Sequence, residues 1–146
     1  MKKILGLVLT VLLFGCRNSD GDKKEAVVPA KEPSSFKMYE MSEMASLMEQ
    51  MFAYNTQLKE RIMKGEALGD YPVAFDKLHT AVLTEVSDRD AFFNDQAFKF
   101  IAAQKMIYSD SLNAQERFNE MVGQCLECHS KKCGGPVPRI KKLLIP

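Results

Sequence analysis

An excess of charge of one sign is missing from this chain: its 146 residues carry 20 Lys+Arg against 19 Asp+Glu, so a nucleic-acid partner is not expected. A long apolar run is missing too. The one apolar stretch, Ile4 to Phe14, is too short to span a bilayer comfortably. Strand-like alternation never lasts more than a few residues, and no internal repeat is visible. Tryptophan is absent and histidine is scarce, with two residues, whereas methionine is frequent, with nine. The length suits one domain.

What is present begins with a targeting segment. Met1-Lys2-Lys3 is a short basic start, and Ile4 to Phe14 fits the apolar core of a signal peptide. The stretch Leu13-Phe14-Gly15-Cys16 resembles a bacterial lipobox. That resemblance implies a signal peptide over 1–15, cleavage before Cys16 and lipid on the Cys16 sulfur. An ordinary signal peptide or an uncleaved anchor, with Cys16 incidental, is the other reading. Cleavage removes Lys2 and Lys3 and leaves 18 basic against 19 acidic residues, about −1. Arg17 to Ser35 is polar, with two prolines, and reads as a flexible tether. The expected location is outside the cytoplasm, on a bacterial membrane, with the domain in the periplasm or at the cell surface. There, thiols are normally oxidised or captured covalently.

From residue 36 onward only helices are legible. The first runs from about Phe36 to Lys64, with Met41, Met44, Met48, Met51, Asn55, Leu58 and Ile62 in a heptad stripe. Gly65 and Gly69 stop it. A second helix is expected after Tyr71-Pro72, with Val73, Leu78, Val82 and Val86 on its apolar face. A third spans about Asp90 to Tyr108, with Phe93, Ala97, Phe100, Ile101 and Met106 or Ile107 inward. Ser109-Asp110-Ser111 reads as a break and cap. The fourth covers about Leu112 to Lys131, with Phe118, Met121, Val122, Cys125 and His129 on one face. The expected architecture is all-α, an antiparallel four-helix bundle over 36–133 with a C-terminal extension at 134–146.

The chemistry lies in Cys125-Leu126-Glu127-Cys128-His129. C-x-x-C-H is the attachment signature of a c-type haem. Two cysteines three apart on a helical turn can each form a thioether to one porphyrin edge, and the next residue brings an imidazole to the iron. Cys125 and Cys128 are then the covalent attachment points of one haem c, and His129 the proximal ligand. Two other readings use the same residues: a Cys3His zinc site with Cys133, and a Cys125–Cys128 disulfide. All four zinc candidates fall within nine residues, closer than the separated pairs of structural zinc sites, and the strand-helix context of a thiol oxidoreductase is missing.

Only seventeen residues follow His129 and none is Met, which rules out the chain order of the common small cytochrome c. A late C-x-x-C-H on the last helix of a four-helix bundle resembles the cytochrome c prime, or class II cytochrome c, family. The resemblance covers about Tyr39 to His129. It is carried by Ile62-Met63-Lys64-Gly65-Glu66, by the aromatic third helix, and by Arg117-Phe118 through Gly123-Gln124 into the motif. Family members usually carry an aromatic-basic pair shortly after the histidine. Here the run is Ser130-Lys131-Lys132-Cys133-Gly134-Gly135-Pro136, and the tail with Arg139, Lys141 and Lys142 is not a family feature.

The resemblance implies that the residue over the distal face comes from the first helix. It is apolar in gas-binding members and methionine in low-spin ones. Matching the heptad phase to the family pattern puts Met48 there, with Met44 and Met51 as alternates. An ungapped match from Lys64-Gly65-Glu66 gives Glu49 instead, which lies off the stripe. Methionines at helical spacing also fill cores. His79 on the second helix is expected to face solvent. Cys133 is left as an odd thiol that could pair between chains.

With His129 and Met48 on iron the expectation is a membrane-tethered monohaem electron carrier, exchanging electrons with periplasmic or membrane redox proteins. The alternative is a five-coordinate protein that binds NO or CO; a zinc-stabilised structural lipoprotein is the third. The resemblance allows a homodimer through the first two helices. No paired carboxylates or base-nucleophile set stands out near the motif, so the chain is not expected to be an enzyme.

Overall fold

The structure is a computed structural model that describes residues 40–146. The expected signal peptide over 1–15, the expected lipidation at Cys16 and the expected tether to residue 35 lie outside the described residues. Within them the chain is all-helical, with no strand.

The first long helix, α1, runs Glu43–Lys64. Ser42 caps it: its Oγ accepts from Ala45 N at 3.1 Å, and Glu43 adds an acid to the first turn. Gly65 ends it with φ 65°, the left-handed geometry that glycine adopts without a Cβ penalty. The amides of Gly65 and Glu66 return to the carbonyls of Ile62 and Arg61. Met44, Met51, Asn55 and Leu58 of the expected stripe are buried, and Met48 and Ile62 are half-buried. Met41 is not part of it; it precedes the helix and is exposed.

The second helix departs from expectation. Val73–His79 forms only a short 3₁₀ helix. Val73, Val82 and Val86 are 74%, 55% and 76% exposed, and the residues that turn inward are Phe75, Leu78 and Ala81. The cause is competition for backbone groups just past His79. Arg89 donates to the carbonyls of His79 and Ala81. Val82 accepts from Met44 N at 2.9 Å and donates to the Glu43 carboxylate at 2.9 Å. The segment therefore satisfies an open amide at the start of α1 instead of extending its own helix.

Helix α2 spans Ala91–Ser109, with Asp90 Oδ1 accepting from Phe93 N at 2.8 Å. It buries Phe93, Ala97, Phe100, Ile101 and Ile107, while Met106 is exposed. A 3₁₀ turn at Ser111–Asn113 leads into α3, Ala114–Lys132. No side chain caps α3. The junction is held by Arg117, whose Nε lies 2.7 Å from Asp110 Oδ2. Phe118, Met121 and Val122 of α3 are fully buried, and burying a side chain of that size contributes about 1.5–3 kcal/mol. Helix α3 packs against α2 along much of its length and also meets α1.

The C-terminal extension is part of the same compact unit. After Gly134-Gly135-Pro136 come a single turn, α4 at Val137–Ile140, and a 3₁₀ turn at Lys141–Leu143. Ile140, Leu143 and Ile145 are buried. Lys59 of α1 donates to the carbonyls of Lys142 and Leu144, and Asn119 of α3 bonds both the amide and the carbonyl of Ile145, each at 2.9 Å.

No described helix is long and apolar enough to cross a membrane.

Candidate functional site

Three adjoining cavities share two lining residues, Met48 of α1 and His129 of α3. The first is walled by the C-terminal extension through Pro136, Arg139, Ile140 and Leu143. The second is backed by α2 through Phe93, Gln96, Ala97 and Phe100. The third is closed by the Leu83-Thr84-Glu85 segment. Together they form one mainly apolar cleft between α1, α2 and α3. Cys125 lines the first two cavities and Cys128 the last two. The helical register of α3 explains this: Cys125 and His129 are four apart and Cys128 three from Cys125, so all three fall on one side.

His129 is oriented from its own helix end. Its Nδ1 lies 3.1 Å from the carbonyl oxygen of Cys133. A carbonyl can only accept, so Nδ1 carries the proton, and in the neutral ring Nε2 keeps its lone pair. The thiols are quiet. Burial pushes the Cys125 thiol up to about 12, with the neighbouring Cys128 adding to the effect, and burial raises Cys128 as well. Catalytic C-x-x-C thiols are shifted the opposite way. Cys125 Sγ sits 3.8 Å from Met121 Sδ, and Cys125, Cys128 and Cys133 are all free.

Of the methionines, Met48 reaches all three cavities, Met51 two and Met44 one. Met44 and Met51 are otherwise core residues. His79 lines none of the three cavities and stacks on Phe98 with ring centres 4.4 Å apart. Cys133 is exposed at the third cavity. Among the described residues no three His, Cys, Asp or Glu side chains gather as a metal-ion shell. Cys16 lies outside the described residues.

Sequence reasoning missed the polar members other than Asn55, which the heptad stripe had placed inward. Gln96 is 2% exposed; its amide nitrogen reaches Glu127 Oε1 at 3.3 Å, and its oxygen has no partner. The Gln124 amide oxygen, in the same cavity, is also buried and unpartnered. Asn55 is buried beside the cleft and accepts from Gln104 at 3.1 Å. Arg139 forms two hydrogen bonds to Glu49, at 2.8 and 2.6 Å, with its guanidinium 3.8 Å above the Phe52 ring centre. Phe93 and Phe100, seven apart, were legible as one face. Arg139 carried no periodic signal at all.

Chemically, the cleft offers two thiols on one side, an imidazole nitrogen beside them, a thioether on the facing helix and apolar walls. No family model, curated protein or solved structure matches this chain.

Proposed function

We propose that the chain is a membrane-tethered monohaem c-type cytochrome that carries electrons, with Cys125 and Cys128 holding one haem c and His129 and Met48 on its iron. One observation carries this reading: Met48 and His129, from different helices, line the same apolar cleft as both motif cysteines. Two features of the residues bear on this reading. The His129 tautomer leaves Nε2 available to a metal. Burial raises both thiols, which disfavours a disulfide-exchange role for the pair.

In this reading the three long helices, with the Val73–His79 turn in the place of a second helix, are a shortened form of the class II cytochrome c bundle. A thioether ligand opposite histidine raises the reduction potential relative to two histidines. A closed coordination shell also lets the site change charge with little movement. In this reading the signal peptide exports the domain, and lipid on Cys16 holds it near membrane redox partners.

The test is the visible spectrum of the protein made with haem-maturation machinery, oxidised, reduced and with carbon monoxide. The expected result is a low-spin spectrum unmoved by carbon monoxide, with the sulfur-to-iron band lost in Met48→Ala and kept in Met44→Ala. A high-spin wild-type spectrum that shifts with carbon monoxide moves the assignment to the five-coordinate gas-binding reading. A colourless protein sinks haem.

A further inference from the structure

The cleft that would receive a haem is mainly apolar, yet a haem carries two propionate carboxylates. A carboxylate brought against apolar walls needs a partner, because an unpaired buried charge is costly. Two basic side chains line the cleft at its ends, Arg139 and Lys132. Lys132 is already matched by two acids: its Nζ lies 2.7 Å from Asp90 Oδ2 and 3.6 Å from Asp88 Oδ1. Arg139 is matched by one. Its Nη1 and Nη2 each give one hydrogen to Glu49. A guanidinium has five N–H donors, so three remain.

The guanidinium is also held in place. Glu49 grips it from α1, and the face of Phe52 lies under it at 3.8 Å. Ile140, the next residue, is buried and fastens the backbone. A guanidinium fixed on two sides, with three donors left over and lining the same cavity as Cys125 and His129, is preorganised for a carboxylate. Glu49 alone at this edge would repel one.

Resting on the haem reading, we propose that Arg139 binds a haem propionate, with Glu49 and Phe52 positioning its guanidinium. The C-terminal extension then contributes a residue of the cofactor site. A propionate neutralised by Arg139 no longer favours ferric over ferrous iron, so the residue raises the reduction potential.

The test measures midpoint potentials of full-length haem-loaded wild type, Arg139→Gln, Glu49→Gln and the double variant, with circular dichroism to check folding. Arg139→Gln is expected to lower the ferrous-to-ferric equilibrium constant at least threefold, roughly 28 mV at about 59 mV per tenfold for one electron. Glu49→Gln keeps the guanidinium and stays at or above wild type. The double variant falls below wild type, because the propionate has lost its partner. The propionate-bending band in resonance Raman should shift in Arg139→Gln and not in Glu49→Gln. Three outcomes overturn the inference alone: an unchanged potential in Arg139→Gln, equal falls in both single variants (an anchor for the tail and nothing more), or a double variant back at the wild-type value (a pair that only cancels itself). A protein without haem overturns the haem reading and this inference together.

Discussion

The Nδ1 of His129 donates to the carbonyl oxygen of Cys133, 3.1 Å away and four residues on. The amide of Cys133 returns to the carbonyl of His129 at 3.2 Å. The end of α3 thus closes on itself around the imidazole. This backbone contact orients the ring.

Because the acceptor is main chain, the side chain of residue 133 can change without loss of that bond. Cys133→Ser is expected to leave the haem spectrum and midpoint potential of the loaded protein unchanged. It should also abolish any disulfide-linked dimer seen on non-reducing gels. A shifted spectrum in Cys133→Ser would assign the thiol itself a part in the site.

Asn55 and Gln104 are buried and bonded to each other across α1 and α2. Asn55→Leu strands the Gln104 amide and should destabilise the protein by roughly 1–3 kcal/mol. Gln104→Leu should cost a similar amount. The double variant should cost less than the two singles together, since neither polar group is left behind. Denaturant midpoints of the four proteins measure this; strict additivity would deny the coupling.

Asn119 clamps the C-terminal extension through two bonds to Ile145. Asn119→Ala is expected to cost about 1–3 kcal/mol. Amide exchange at Ile145 should quicken, while exchange in the middle of α2 changes little. A uniform rise across the whole chain would instead mean that the extension and the helices unfold as one unit.

The Arg117 guanidinium beside Asp110, and then Asn113, holds the Asp110 carboxyl below its ordinary value of 3.8. A lowered folded-state value means that the contribution is fully present above 3.8 and is lost as pH falls through the folded value. Stability should therefore decline below about pH 4 partly through this group, and Arg117→Gln should flatten that part of the profile. An identical acid limb in wild type and variant would remove Asp110 as a source.

The long helices were legible because periodicity is local. Phe93, Ala97 and Phe100, or Phe118, Met121 and Val122, recur at helical spacing, and the structure buries them. The motif at Cys125, Cys128 and His129 is likewise a matter of spacing along one helix. The second helix was misread because Val73, Val82 and Val86 mimic an apolar face. Glu43, Met44 and Arg89 take the backbone groups around His79 to Val82, and no local pattern could announce that.

By itself the sequence determined where α1, α2 and α3 run, to within a few residues for α2 and α3, and that two thiols and an imidazole share one side of the last long helix. It also narrowed the facing residue to a methionine stripe. The tertiary structure decided which methionine reaches the whole cleft, which way the His129 ring is turned, and that the C-terminal extension folds back so that Arg139 lines a cavity with Cys125. Those outcomes depend on contacts between residues far apart in the chain, such as Glu49 with Arg139 and Asn119 with Ile145. Periodicity reports which face of a helix is apolar; only packing reports what that face meets.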